Sequence, residues 1–153
     1  MESLEEVFDR STLMIVYKML NRGYLKSIHG VLRSGKEARI YWGLGKGSRQ
    51  LAIKIFLTTS REFNRGRLAY IQGDERFKTV RRDTRSLVNL WALKEYKNLQ
   101  QGKFAGVRVP APLKVMGNVL LMELLETATG PRLFLERLRL TTQLKSMTRS
   151  PNR

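Results

Sequence analysis

Residues 29–43 read HGVLRSGKEARIYWG, and Gly30, Gly35 and Lys36 within them match G-x-x-x-x-G-K, all but the last residue of a Walker phosphate loop. That loop needs a Ser or Thr hydroxyl for Mg²⁺ at its last position, where this chain has Glu37. It also needs a helix directly after the lysine, so that the helix N-terminus faces the phosphates. Lys36 instead leads into EARIYWGL, the Gly-rich turn GKGSR and QLAIKIFL: short β-branched or aromatic runs separated by turn residues. Together with LKSIHGVLRSG before it, the segment Leu25 to Phe56 reads as three antiparallel strands, and this context rules out a P-loop nucleoside triphosphatase. A hairpin turn of small residues, Ser34-Gly35-Lys36, can still turn backbone N–H groups and a cation toward a phosphate.

On the N-terminal side, Leu13, Val16, Tyr17 and Leu20 recur at i, i+3, i+4 and i+7. They predict a short amphipathic helix capped by Ser11 and stopped at Gly23. On the C-terminal side, residues 58–86 are polar and Arg-rich without a sustained period, an excursion from the sheet. Leu87, Leu90, Trp91 and Leu99 then predict a helix ending near Gly102 or Gly106. PLKVMGNVLLMELL places two apolar runs either side of Gly117-Asn118, a two-residue hairpin signal. The order helix, three strands, insertion, helix, two strands is an α+β arrangement, with five antiparallel strands and one main helix between the third and fourth.

Composition narrows the function. In 153 residues there is room for one ordinary domain, and 42% hydrophobic content is normal for one with a real core. No apolar run approaches the roughly 20 residues that span a bilayer. The acidic opening MESLEEVFDR lacks the basic-then-apolar order of a signal peptide, so a cytoplasmic protein without membrane partners is expected. Without Cys there is no disulfide, Cys-zinc site or thiol catalysis, and a single His excludes a His-rich metal site; His29 is expected in a turn or on the surface. The 29 Lys and Arg against 13 Asp and Glu leave a net charge of +16. That charge is spread through the domain as well as the tail, which favours polyanionic surroundings such as nucleic acid.

Lys54 is the residue most open to a chemical reading. It lies in the apolar strand LAIKIF, where a lysine is either on a solvent-facing side or held inward by an anion and a carboxylate. A protein kinase contains the second arrangement: a loop over the phosphates, then the Lys of V-A-I-K on the third strand, paired with ATP phosphates and with a Glu on the next helix. Here A-I-K is present, and Glu95 falls at i+4 from Trp91 and i−4 from Leu99, on the apolar stripe of the next helix.

The sequence resembles the N-terminal lobe of a RIO-type atypical serine/threonine protein kinase, most similar to the first RIO subfamily. The likeness is carried by SGKEARIY, LAIKIF, GDERF, WALKEYKNL, GVRVPAPL and NVLLMELL, in order from about residue 12 to 125. It implies a protein-kinase-like N-terminal lobe over residues 1–125, including the N-terminal helix, with a basic tail at 126–153. Position by position, it implies that Ser34, Gly35 and Lys36 cover the ATP triphosphate. Lys54 would touch phosphate oxygens, with Glu95 pairing to fix it. Met122 would stand beside the adenine pocket, and the backbone of Glu123 and Leu124 would form the hinge that holds the base. The resemblance further implies a flexible loop from Arg61 to Arg85, Mg²⁺ as cofactor, and small-ribosomal-subunit maturation as context. Pre-ribosomal particles or ribosomal RNA would be the partners.

The family's base and metal-binding Asp residues belong to its C-terminal lobe, and this chain has no Asp after Asp83. The chain is therefore expected to be inactive alone, and to self-associate or require the missing lobe. The alternative reading is a non-enzymatic basic module that binds ribosomal RNA or a pre-ribosomal partner.

Overall fold

The computed structural model describes residues 3–58 and 83–125. Two N-terminal helices, α1 (Leu4–Val7) and α2 (Arg10–Asn21), precede the strands β1 (Ser27–Ser34), β2 (Ala38–Leu44) and β3 (Gln50–Phe56). The helix α3 (Thr84–Phe104) and the strands β4 (Pro112–Met116) and β5 (Val119–Glu123) come after them. The strands form one antiparallel sheet in the order β1-β2-β3-β5-β4. Fold class, strand count and the main helix agree with the sequence reading.

Local signals account for the boundaries. Gly23 and Gly106, at φ +78° and +77°, stop α2 and α3 in the left-handed region that glycine enters at little cost. Gly117, at φ +54°, does the same in the β4–β5 turn. The expected cap at Ser11 is a correction: α2 begins two residues earlier, at Arg10, and Asp9 is its N-cap, accepting from the Thr12 N–H at 2.9 Å. His29, expected in a turn or on the surface, is an exposed residue of β1 whose ring stacks on Trp42 with centroids 4.2 Å apart. The four-residue α1 was too short to show a period. Most of the 58–86 excursion, including GDERF, and the tail at 126–153 lie outside the described residues.

The alternation along β3 divides the core. Leu51, Ile53 and Ile55 point to one side, where Val119 and Leu121 of β5 join Val16 and Met19 of α2 and Phe8. Ala52 and Phe56 point to the other, where Ile40, Leu120 and Met122 pack against Val88, Ala92 and Leu99 of α3. The two helices thus cover opposite faces of one sheet. Lys54 belongs to the α3 face.

Candidate nucleotide-binding site

Lys54 sits opposite Ile40 on β2 and Leu120 on β5, at the centre of the sheet. Residues on both neighbouring strands wall in its stem, so the ammonium can only project toward α3. There Glu95 meets it with both carboxylate oxygens, at 2.7 and 3.0 Å from Nζ. The two side chains are only 17% and 20% exposed. A half-buried ion pair of this kind survives because each charge satisfies the other; removal of one partner leaves an uncompensated charge. The ammonium also lies 4.9 Å from the centroid of the Phe56 ring, two residues along the same strand and therefore on the same face. Of the two positions open to Lys54 in the sequence, the structure adopts the inward one.

Glu95 is presented by the stripe that buries α3. Ala92 and Leu99 are buried on the sheet and Trp91 packs beside them, so the i, i+4, i+8 spacing of Trp91, Glu95 and Leu99 puts the carboxylate on that inward face.

The SGKE turn lies at one end of this arrangement. Ser34 pairs with Arg39, and the Gly35 N–H donates to the Ala38 carbonyl at 3.0 Å, which closes the hairpin around Lys36 and Glu37. The Leu57 N–H donates to the Glu37 carbonyl at 2.9 Å and ties the turn to the end of β3. At about 3.3 Å per residue, the Gly35–Ala38 closure of the turn lies roughly 7 Å along the strands from Lys54. Ser34, Gly35 and Lys36 are all exposed.

At the other end, Met122 is fully buried and pairs with Ala52. It walls the α3 face two residues along the sheet from Lys54. The hinge candidates stand differently. The Glu123 N–H is bonded to the Ala111 carbonyl at 2.9 Å, and the Leu124 N–H to the Gln50 carbonyl at 3.4 Å. What these two residues have left to offer a ligand through the backbone is carbonyl oxygen. The Glu123 side chain is also engaged, by Arg49 at 3.3 Å and the Ala111 N–H at 3.4 Å.

Sequence reasoning did not name Ile40, Ala52 or Phe56 as part of this face, although the two-residue period of β2 and β3 carries the signal. The Arg49–Glu123 pair joins residues 74 apart and leaves no local trace. Among the described residues no group of three or more acidic or His side chains could hold a metal ion, and no helix is long and apolar enough to cross a membrane.

A family model for the RIO domain matches residues 39–150. The RIO-type serine/threonine-protein kinase Rio1 of Haloferax volcanii is 38% identical over 120 residues, 78% of this chain and 41% of its own length. The serine/threonine-protein kinase RIO1 of Homo sapiens is 33% identical over 141 residues, 91% of this chain and 25% of its own. The chain thus spans less than half the length of these relatives. Among solved structures, the Rio2 kinase-ADP/Mg²⁺-phosphoaspartate complex from Chaetomium thermophilum superposes with a TM-score of 0.57 at 18% identity, over 92% of this chain and 44% of that one. The inward Lys–Glu pair, the protein-kinase-like fold and these matches agree: this chain belongs to the RIO family of serine/threonine-protein kinases.

Proposed function

We propose that the chain is the ATP-binding lobe of a RIO-type serine/threonine protein kinase. The observation that carries this is the Lys54–Glu95 pair, held by both carboxylate oxygens on a partly enclosed sheet face. In this reading Lys54 donates to ATP phosphate oxygens while Glu95 keeps its ammonium from swinging away. The Ser34-Gly35-Lys36 turn covers the triphosphate. Ala52 and Ile40 supply the apolar surface for the adenine, with Met122 behind it and the Glu123 carbonyl as an acceptor for an exocyclic amine.

Mg²⁺, which the family implies, does not fit the described residues, because no carboxylate cluster is present among them and no Asp follows Asp83. Phosphoryl transfer depends on positioning and metal electrostatics, so this chain by itself binds the nucleotide without transferring phosphate at a kinase-like rate. In this reading the residues here bind and orient ATP. The ribosome-maturation context is proposed on the family likeness alone.

Thermal melting with and without ATP tests the reading. ATP should raise the midpoint of the native chain and leave that of Lys54→Ala unchanged. Equal protection of both proteins, or protection of neither, would refute the nucleotide site.

The net charge of +16 favours a second role, contact with a polyanion such as ribosomal RNA. RNA affinity should then fall steeply with salt and ignore Lys54→Ala. Self-association remains an expectation as well, for which the 96% exposed Phe104 beside the exposed Val107 is the supporting surface.

A further inference from the structure

Beyond the nucleotide contacts, polar and steric links gather at the end of the sheet where β3 leaves it and α3 begins. The Asp9 carboxylate caps α2 through the Thr12 N–H at 2.9 Å and accepts from the Thr58 hydroxyl at 3.4 Å, just past β3. The same carboxylate receives the Arg85 guanidinium of α3 at 2.9 Å. Three residues further along, the Thr12 hydroxyl accepts from Asn118 Nδ2 at 2.9 Å, and that nitrogen also donates to the Phe56 carbonyl at 2.8 Å. Thr12 and Asn118 are both buried. Gly117 completes the layer: a Cβ there would collide with Ile15 of α2 and lie 3.6 Å from the side-chain oxygen of Asn89 on α3. The β4–β5 turn is therefore wedged between the two helices.

We infer that the N-terminal helix pair braces α3, and that Asp9 is a positioning residue for the Lys54–Glu95 pair. Helices α2 and α3 lie on opposite faces of the sheet, so neither reaches the other through the core. Asp9 bridges them around the sheet's end, and Arg85 lies ten residues before Glu95 on the same rigid helix. Glu95 engages Lys54 with both oxygens only in one axial placement of α3, since a slide of a single residue moves the helix by about 1.5 Å. Holding the first turn of α3 therefore holds Glu95. The inference rests on the proposed role of Lys54 for its consequence in nucleotide binding, and on geometry alone for its mechanical part.

The test is Asp9→Asn in the full chain, because Asn still caps a helix while it loses the charge that holds Arg85. Two measurements are needed: hydrogen exchange of the α3 amides without ligand, and affinity for an ATP analogue. Exchange should quicken in the first turns of α3 and around Glu95, and analogue affinity should drop about two- to fivefold, the range of a partly exposed ion pair. Arg85→Ala should act the same way, and the pair of changes together should do no more than either alone. In a Lys54→Ala background, Asp9→Asn should still quicken exchange in α3. Exchange changes confined to α2, or unchanged exchange around Glu95, would overturn the brace. If the native chain binds no analogue, the nucleotide site itself fails, and the exchange result alone still decides whether Asp9 holds α3.

Discussion

The two faces of the sheet use one strand for different ends. On the α2 face, β3 contributes Leu51, Ile53 and Ile55, all 2% exposed or less, to an apolar layer closed by α2. On the α3 face, the alternate residues Ala52, Lys54 and Phe56 surround a charge that Glu95 satisfies with both oxygens. The first face derives its free energy from burial, whereas the second keeps a desolvated ion pair where an apolar pair of the same size would be as stable or more so. Such an arrangement is accounted for by the proposed nucleotide-binding role of Lys54.

Truncation of the apolar face gives the largest effect. Ile53→Ala should lower unfolding free energy by about 2–5 kcal/mol, read by urea denaturation, and a smaller loss would mean that the layer closes over the cavity. The α3 face should respond in the opposite sense: Lys54→Met combined with Glu95→Met removes nucleotide protection while changing stability by less than about 1.5 kcal/mol, because two flexible apolar side chains take the place of both members of the charged pair. Glu95→Gln sharpens this, since it strands the ammonium and should cost stability as well as nucleotide affinity. If the double change Lys54→Met and Glu95→Met destabilised the fold as much as Ile53→Ala, the division of labour between the faces would collapse.

Smaller effects probe the seam between the faces. Gly117→Ala should cost about 1–2 kcal/mol, from its positive φ and from the collision with Ile15. The smallest is a pH effect at Asp9. Burial pushes its carboxyl up, but hydrogen bonds from Thr12 and Thr58 and the Arg85 charge outweigh this and hold its pKa below the ordinary 3.8. A depressed carboxyl contributes stability that is present above the unfolded-state value and lost as pH falls through the folded one. Acid unfolding below about pH 4 should therefore be gentler in Asp9→Asn, measured as the slope of unfolding free energy against pH.

Legibility tracked the range of the physics. Strand alternation, the Gly117-Asn118 turn and the glycine stops act over two to four residues, so their positions could be read directly from the chain. The helix start at Asp9 could not, because Ser11 is equally able to cap and the partners of Asp9 lie far along the chain, just past β3 and on α3. Lys54 and Glu95 were visible as candidates through their spacing. Their meeting required α3 to lie on the side of β3 that Lys54 faces.

By itself, then, the sequence determined the five strands, the main helix, the short N-terminal helix and the family, since each depends on local periodicity, turn chemistry or residue motifs. Only the tertiary structure decided that Lys54 points inward against both oxygens of Glu95. It likewise decided that the amides of Glu123 and Leu124 are already bonded, and that Asp9 ties one helical layer to the other. Each of these unites groups far apart in the chain, and what places them is the packing of helices on opposite faces of the sheet, which no local pattern encodes.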